Sequence, residues 1–410
     1  MTSIEALHLP VGIRARTIDR INGLKMHVLE AGFETADRPA LLLLHGFPEL
    51  AYSWRKVMLP LAAAGYHVIA PDQRGYGRTL GWDDRYDADL APFRMMNLVR
   101  DALGVLYACG HQTAAAVVGH DFGSSVAAWC ALIRPDVFGS VVMMSAPFGG
   151  PPSVALGGPP SVALGGPPSV ALGGPPSVAL GGPPSVALDE PPPVDPIHAA
   201  LAALPRPRKH YHQYYSTRAA NADMLHAPQG LHAFLRAYYH MKSADWLDNQ
   251  PHPLHAWTAS ALAQLPDYYV MDLHHTMPQA VAAAMPNAAQ IASCAWLPEH
   301  ELAVYTAEFA RTGFQGGLDW YRCRTSGKFE AEYQTWAHAK IQPPACFISG
   351  ASDWGPQQKP LELARMQTQA CRQMHGVQSI TDAGHWVQQE RPAQTVQALL
   401  DFFHDAKVMP

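Results

Sequence analysis

The chain has 410 residues, 48% apolar and 15% charged, with a formal net charge of -5 at pH 7. That is apolar content enough for a large buried core, and a near-neutral balance without runs of one sign gives neither a basic stripe for nucleic acid nor a polybasic anchor for anionic lipid. No apolar run reaches the length that spans a bilayer and residues Met1 to Glu5 carry no signal pattern, so the expected location is the cytoplasm.

The first elements read as a hairpin, with β-type runs Arg14 to Asp19 and Lys25 to Glu30 flanking Asn22-Gly23, a pair suited to the positive φ of a tight turn. Short apolar runs follow at Ala40 to Leu44, His67 to Ala70, Ala114 to Val118 and Ser140 to Met144. Between them lie helical patterns near Trp54 to Ala64, Met95 to Cys109 and Ser124 to Ile133. Strands buried on both faces and joined by helices predict an α/β fold with a mostly parallel, doubly wound sheet.

After the Ser140 strand the alternation stops, and it resumes at Pro344 to Ser349, a strand at Val377 to Thr381 and a last helix from about Pro392 to His404. The intervening sequence is mostly helical and rich in Tyr, Trp, His and Ala, which reads as a cap inserted into one core and roofing the carboxyl ends of the strands. The expected division is 1–147 for the first part of the core, 148–190 for a repeat loop, 191–342 for the cap and 343–410 for the second part of the core. Within the loop, Gly-Gly-Pro-Pro-Ser-Val-Ala-Leu occurs five times without change from Gly149 to Leu188. Paired Pro blocks helix and paired Gly raises the entropy cost of order, so an extended, mobile, tolerated insertion is expected rather than a stacked solenoid.

Three motifs carry chemistry. His45-Gly46-Phe47-Pro48 leaves the Ala40 strand in a turn whose backbone N–H groups can point into a site. Gly119-His120-Asp121-Phe122-Gly123 leaves the Ala114 strand and enters a helix. Its glycines permit a sharp strand-to-helix bend that lifts the middle side chain above the sheet, as in a nucleophile elbow. A carboxylate at that point is already ionised near neutral pH and can attack an sp3 carbon without a base. The N–H groups of Phe47 and Phe122 are the expected oxyanion hole, holding the carbonyl oxygen of an ester formed on Asp121.

Near the C-terminus, Asp382-Ala383-Gly384-His385-Trp386 follows the last strand. Among 21 histidines its place selects His385 as the base that activates water. Asp353, just past the preceding strand, is the expected acid that orients it. The alternative location after the Ser140 strand offers Ser145-Ala146-Pro147 and no carboxylate. The six cysteines are scattered, without zinc spacing, and read as small buried hydrophobes. Neither a structural metal nor a cofactor is expected.

Together these motifs resemble the soluble epoxide hydrolases of the α/β-hydrolase superfamily, over essentially all of the chain except the repeats. The resemblance implies that two cap tyrosines bind the epoxide oxygen. It assigns them to Tyr211, in Lys209-His210-Tyr211-His212-Gln213-Tyr214-Tyr215, and Tyr321, in Leu318-Asp319-Trp320-Tyr321-Arg322. It further implies a small apolar epoxide and water as reactants and a vicinal diol as product. Phe122 departs from the more usual Trp, which bears on pocket shape.

A haloalkane or haloacid dehalogenase is the first rival, but such enzymes need N–H donors for a leaving halide, often an indole beside the nucleophile, and have no use for the tyrosine pair. An esterase lacks its Gly-x-Ser-x-Gly here. A silent ligand-binding protein on the same fold would have no reason to keep a water-activating histidine beside an ionised nucleophile. Oligomeric state is not legible in the sequence.

Overall fold

The computed structural model describes residues 7–152 and 196–408. The repeat loop expected over 148–190, apart from 148–152, lies outside the described residues. Eight strands form one sheet: β1 (Ile13–Ile21), β2 (Leu24–Ala31), β3 (Ala40–Leu44), β4 (His67–Pro71), β5 (Ala114–His120), β6 (Val141–Met144), β9 (Ile341–Gly350) and β10 (Cys371–Ile380). Strands β7 (Arg208–His210) and β8 (Val270–Asp272) make a separate antiparallel ribbon in the cap.

The sheet order is β1-β2-β4-β3-β5-β6-β9-β10. The opening hairpin pairs antiparallel, as does β2 with β4, and every other neighbour is parallel. Asn22 and Gly23 both take positive φ at the hairpin turn. β3, β4 and β6 are buried at every residue, because helices cover both faces of the sheet. Helices Arg55–Ala63 and Pro392–Asp405 cover one face through Val57, Met58, Leu61, Phe402 and Phe403. Helices Met95–Ala108 and Phe122–Ile133 cover the other, and their apolar layer runs on without a break into the cap through Leu235, Met271 and Tyr305.

Two strands outrun their sequence signal. β9 starts at Ile341, ahead of Pro343 and Pro344, and β10 starts at Cys371. β10 is an edge strand paired only with β9, so after the buried Cys371 its residues up to Ser379 are exposed or part-buried and lack a continuous apolar run.

Between β6 and β9 lies the expected helical insertion, including Pro196–Ala202, Tyr211–Tyr215, Leu231–Lys242, Glu299–Thr312 and Gln315–Thr325. The chain has the α/β-hydrolase architecture with a cap. Among the described residues no helix is long and apolar enough to cross a membrane. All six cysteines are free, four of them buried.

Cap and core meet at the loop after β10. The buried Glu390 carboxylate accepts the backbone N–H groups of Gly384 and Trp386, on either side of His385, and of Ala244 in the cap, each at 2.9 Å. The N–H of His385 donates to the Lys242 carbonyl at 2.8 Å. Removing the acceptor leaves buried donors unpaired at about 1–3 kcal/mol each. Glu390→Ala is therefore expected to lose about 3 kcal/mol or more in urea denaturation; a loss below about 1 kcal/mol would show that Glu390 does not bind the two layers together.

Candidate active site

Asp121 sits between β5 and helix Phe122–Ile133 with φ 52° and ψ -121°, a conformation that costs a non-glycine residue about 1–3 kcal/mol. The bend is held by backbone packed too closely for side chains. A Cβ on Gly119 would lie 2.0 Å from the Gly123 carbonyl oxygen, and one on Gly123 would lie 2.2 Å from that of Leu44. The Asp121 N–H donates to Met144 of β6 at 3.1 Å, which ties the bend to the next strand.

The turn after β3 comes over the carboxylate from the other side. Phe47, followed by a cis Pro48, donates its N–H to Asp121 Oδ1 at 3.0 Å. The Phe122 N–H, first of its helix, makes no backbone hydrogen bond among the described residues, as a leading helical donor does not. Gly46 is required by contact, since a Cβ there would lie 2.4 Å from Asp121 Cβ and 2.6 Å from Oδ1. His45 turns away from the site: its Nε2 accepts the Gln73 N–H at 3.1 Å, so it shapes the turn.

His385 and Asp353 arrive from the other half of the core. His385 Nδ1 donates to Asp353 Oδ1 at 3.0 Å, and the same oxygen accepts the Gly355 N–H at 2.7 Å. His385 Nε2 stands 3.3 Å from Asp121 Oδ2, in contact but too poorly aligned for a hydrogen bond. Burial works against the charge of Asp121, which is 6% exposed. The His385 imidazole and the Lys242 ammonium outweigh it and hold the carboxyl well below the usual carboxylate range. Asp353 is likewise lowered, burial being outweighed by His385 and the Gly355 N–H.

Tyr211 and Tyr321 line one cleft with Asp121, and their ring centroids are 5.9 Å apart. Helix Tyr211–Tyr215 starts with Tyr211, whose hydroxyl donates to Gln358 Oε1 at 3.0 Å. Tyr321 is fixed by edge contacts with Phe47 and Phe122. Burial and the neighbouring Asp121 charge push both phenols well above their ordinary pKa, so they stay protonated and able to donate.

Several residues around the site have no signature in sequence. Glu49 pairs with His120 Nδ1 at 2.6 Å and accepts the Gly46 N–H at 3.0 Å, while His120 Nε2 donates to the His385 carbonyl at 2.7 Å. This pair joins all three motif loops. Lys242 is buried with its ammonium 5.2 Å from the ring centres of both Tyr269 and Trp386. Gln358, Lys242 and Glu390 lie on ordinary helices and turns, where only the fold could reveal them.

A family model described as the alpha/beta hydrolase fold matches residues 39–163. The chain is similar to epoxide hydrolase B of Mycobacterium tuberculosis, at 31% identity over 395 residues, 93% of this chain and 95% of that protein. It is also similar to an epoxide hydrolase of Caballeronia sordidicola, at 28% over 386 residues, 93% and 91% respectively. Among solved structures, an epoxide hydrolase from an endophytic Streptomyces superposes with a TM-score of 0.71 at 26% identity and covers 97% of each chain. Epoxide hydrolase A from Mycobacterium thermoresistibile gives 0.67 at 28%, covering 96% of this chain and 98% of the other.

The tight approach at Gly46 makes a direct prediction. Gly46→Ala should displace the Asp121 carboxylate and lower kcat by about 100-fold or more, the cost of misplacing a reacting group by about an ångström. Steady-state kinetics on the folded variant would check it, and turnover within about threefold of the parent would show that this contact does not position the carboxylate.

Proposed function

The chain belongs to the epoxide hydrolases of the α/β-hydrolase fold, and on that footing we propose that it opens a small apolar epoxide with water to a vicinal diol through an ester on Asp121. The observation that carries this reading is a carboxylate, rather than a hydroxyl, at the elbow, with two protonated phenols lining the same cleft. Asp121 Oδ1 is engaged by the Phe47 N–H, so Oδ2 is the free nucleophile. Its lone pair forms a bond to one epoxide carbon while the carbon–oxygen bond breaks. The departing alkoxide, a stronger base than phenolate, takes a proton from Tyr211 or Tyr321.

In the second step His385, oriented by Asp353, removes a proton from water. The resulting hydroxide adds to the Asp121 carbonyl carbon, and Oδ1 takes up negative charge where the Phe47 and Phe122 N–H groups can stabilise it. Collapse breaks the bond between the carbonyl carbon and Oδ2, and the departing alkoxide takes the proton of the added hydroxyl and leaves as the diol. The proton held by His385 returns to the phenolate, which restores the carboxylate, the imidazole and the phenol. Neither step calls on a cofactor. Phe122 offers no side-chain N–H beside the nucleophile, which disfavours halide as the leaving group. The cytoplasm, the extent of the cap over 191–342 and its division from the core parts belong to the same reading.

Removing the base should stall the cycle at the ester. His385→Gln incubated with styrene oxide is expected to gain the mass of the epoxide on the peptide that carries Asp121. Adding Tyr211→Phe and Tyr321→Phe together should slow the appearance of that adduct by about 100-fold or more. No adduct, or one on another peptide, would overturn the proposed route.

A further inference from the structure

The cleft above Asp121 has polar groups that ring opening does not use: Arg324, Lys359, Glu362 and His212. Arg324 is half-buried and makes no hydrogen bond or ion pair among the described residues. The Lys359 side chain is 11% exposed and meets the Glu362 carboxylate at 3.1 Å. His212 is buried, and its Nδ1 has no hydrogen-bond partner among the described residues. The cleft therefore holds two cations, of which Lys359 faces Glu362, while among the described residues the only other carboxylate lining it is the nucleophile Asp121, so Arg324 has no carboxylate of its own. Burial and the Arg324 charge push the Lys359 amine down to about 8, and burial with the neighbouring basic groups holds the His212 imidazole well below its ordinary value. Burial is the first cause of both shifts, and neighbouring positive charge adds to it.

A carboxylate on the ligand would give Arg324 the partner it lacks among the described residues. It matches the planar fork of a guanidinium, accepts from the ammonium, and can accept from an imidazole N–H. Solvent would suffice for cations on an open surface, but these line the space a substrate must occupy to reach Asp121. We propose that Arg324, Lys359 and His212 form a subsite for the acidic end of the substrate, so that the substrate class is a small epoxide bearing a carboxylate on an apolar skeleton. This subsite rests on the proposed epoxide opening at Asp121.

The test compares styrene oxide bearing a para-carboxylate with its methyl ester. The parent protein is expected to favour the acid by about tenfold or more in kcat/KM, the scale of one charge-assisted hydrogen bond. Arg324→Gln should bring that ratio close to one, and molar salt should shrink it in the parent protein. A parent ratio near one, or a ratio that Arg324→Gln leaves intact, overturns the subsite. Should that variant fail to fold, a parent ratio indifferent to salt does the same. If neither epoxide is turned over, the epoxide reading is what has failed. Calorimetry with 4-ethylbenzoate against 4-ethylbenzyl alcohol then still decides the subsite, equal affinities counting against it.

Discussion

The site depends on one backbone bend. Asp121 occupies a conformation that an L-residue resists, and it stays there because three close approaches, two of main chain to main chain and one of main chain to the Asp121 side chain, leave no room to relax. Gly119, Gly123 and Gly46 supply those approaches. Each lies at the carboxyl end of a parallel strand or just beyond it, where an open α/β sheet leaves a crevice. The strain is held by packing from β3, β5 and β6 at once, so it survives only in the assembled sheet.

Charge placement follows from that bend. A carboxylate so deeply buried would rise in pKa and lose its proton less readily, were it not for His385, Lys242 and the Phe47 N–H around it. Behind it lies a second buried pair, Glu49 and His120. Burial opposes the charge of both, and each favours the charged form of the other: the Glu49 carboxyl is lowered and the His120 imidazole raised. Because His120 holds the His385 carbonyl and Glu49 holds the Gly46 N–H, the pair ties the His385 loop to the turn above Asp121. The cap brings Tyr211 and Tyr321 to the cleft and shares an apolar layer with the core.

Much of this was legible in the chain alone, for a physical reason. Ala40–Leu44 reads as a strand because both faces of a central parallel strand are buried, and Asn22-Gly23 reads as a turn because few other pairs accept two positive φ values. The elbow is legible because close backbone contact demands glycine at fixed offsets. The first half of β10 was not legible, since an edge strand need not be apolar. Nor were Gln358, Glu390 and Lys242, which act through contacts with residues far away in sequence. Their residue types are common on any helix, so only the folded chain distinguishes them. Arg324 and Lys359 are of the same kind, brought to one cleft by the cap and by the turn after β9.

The central claim is that the oxygen entering the product comes from the protein before it comes from solvent. A single turnover with enzyme in excess, run in heavy-oxygen water and analysed by mass spectrometry, measures this directly. An unlabelled first diol, with label appearing in Asp121 afterwards, is the result the ester route requires. A first diol that already carries the solvent label would mean that water attacks the epoxide itself and that Asp121 is not the nucleophile.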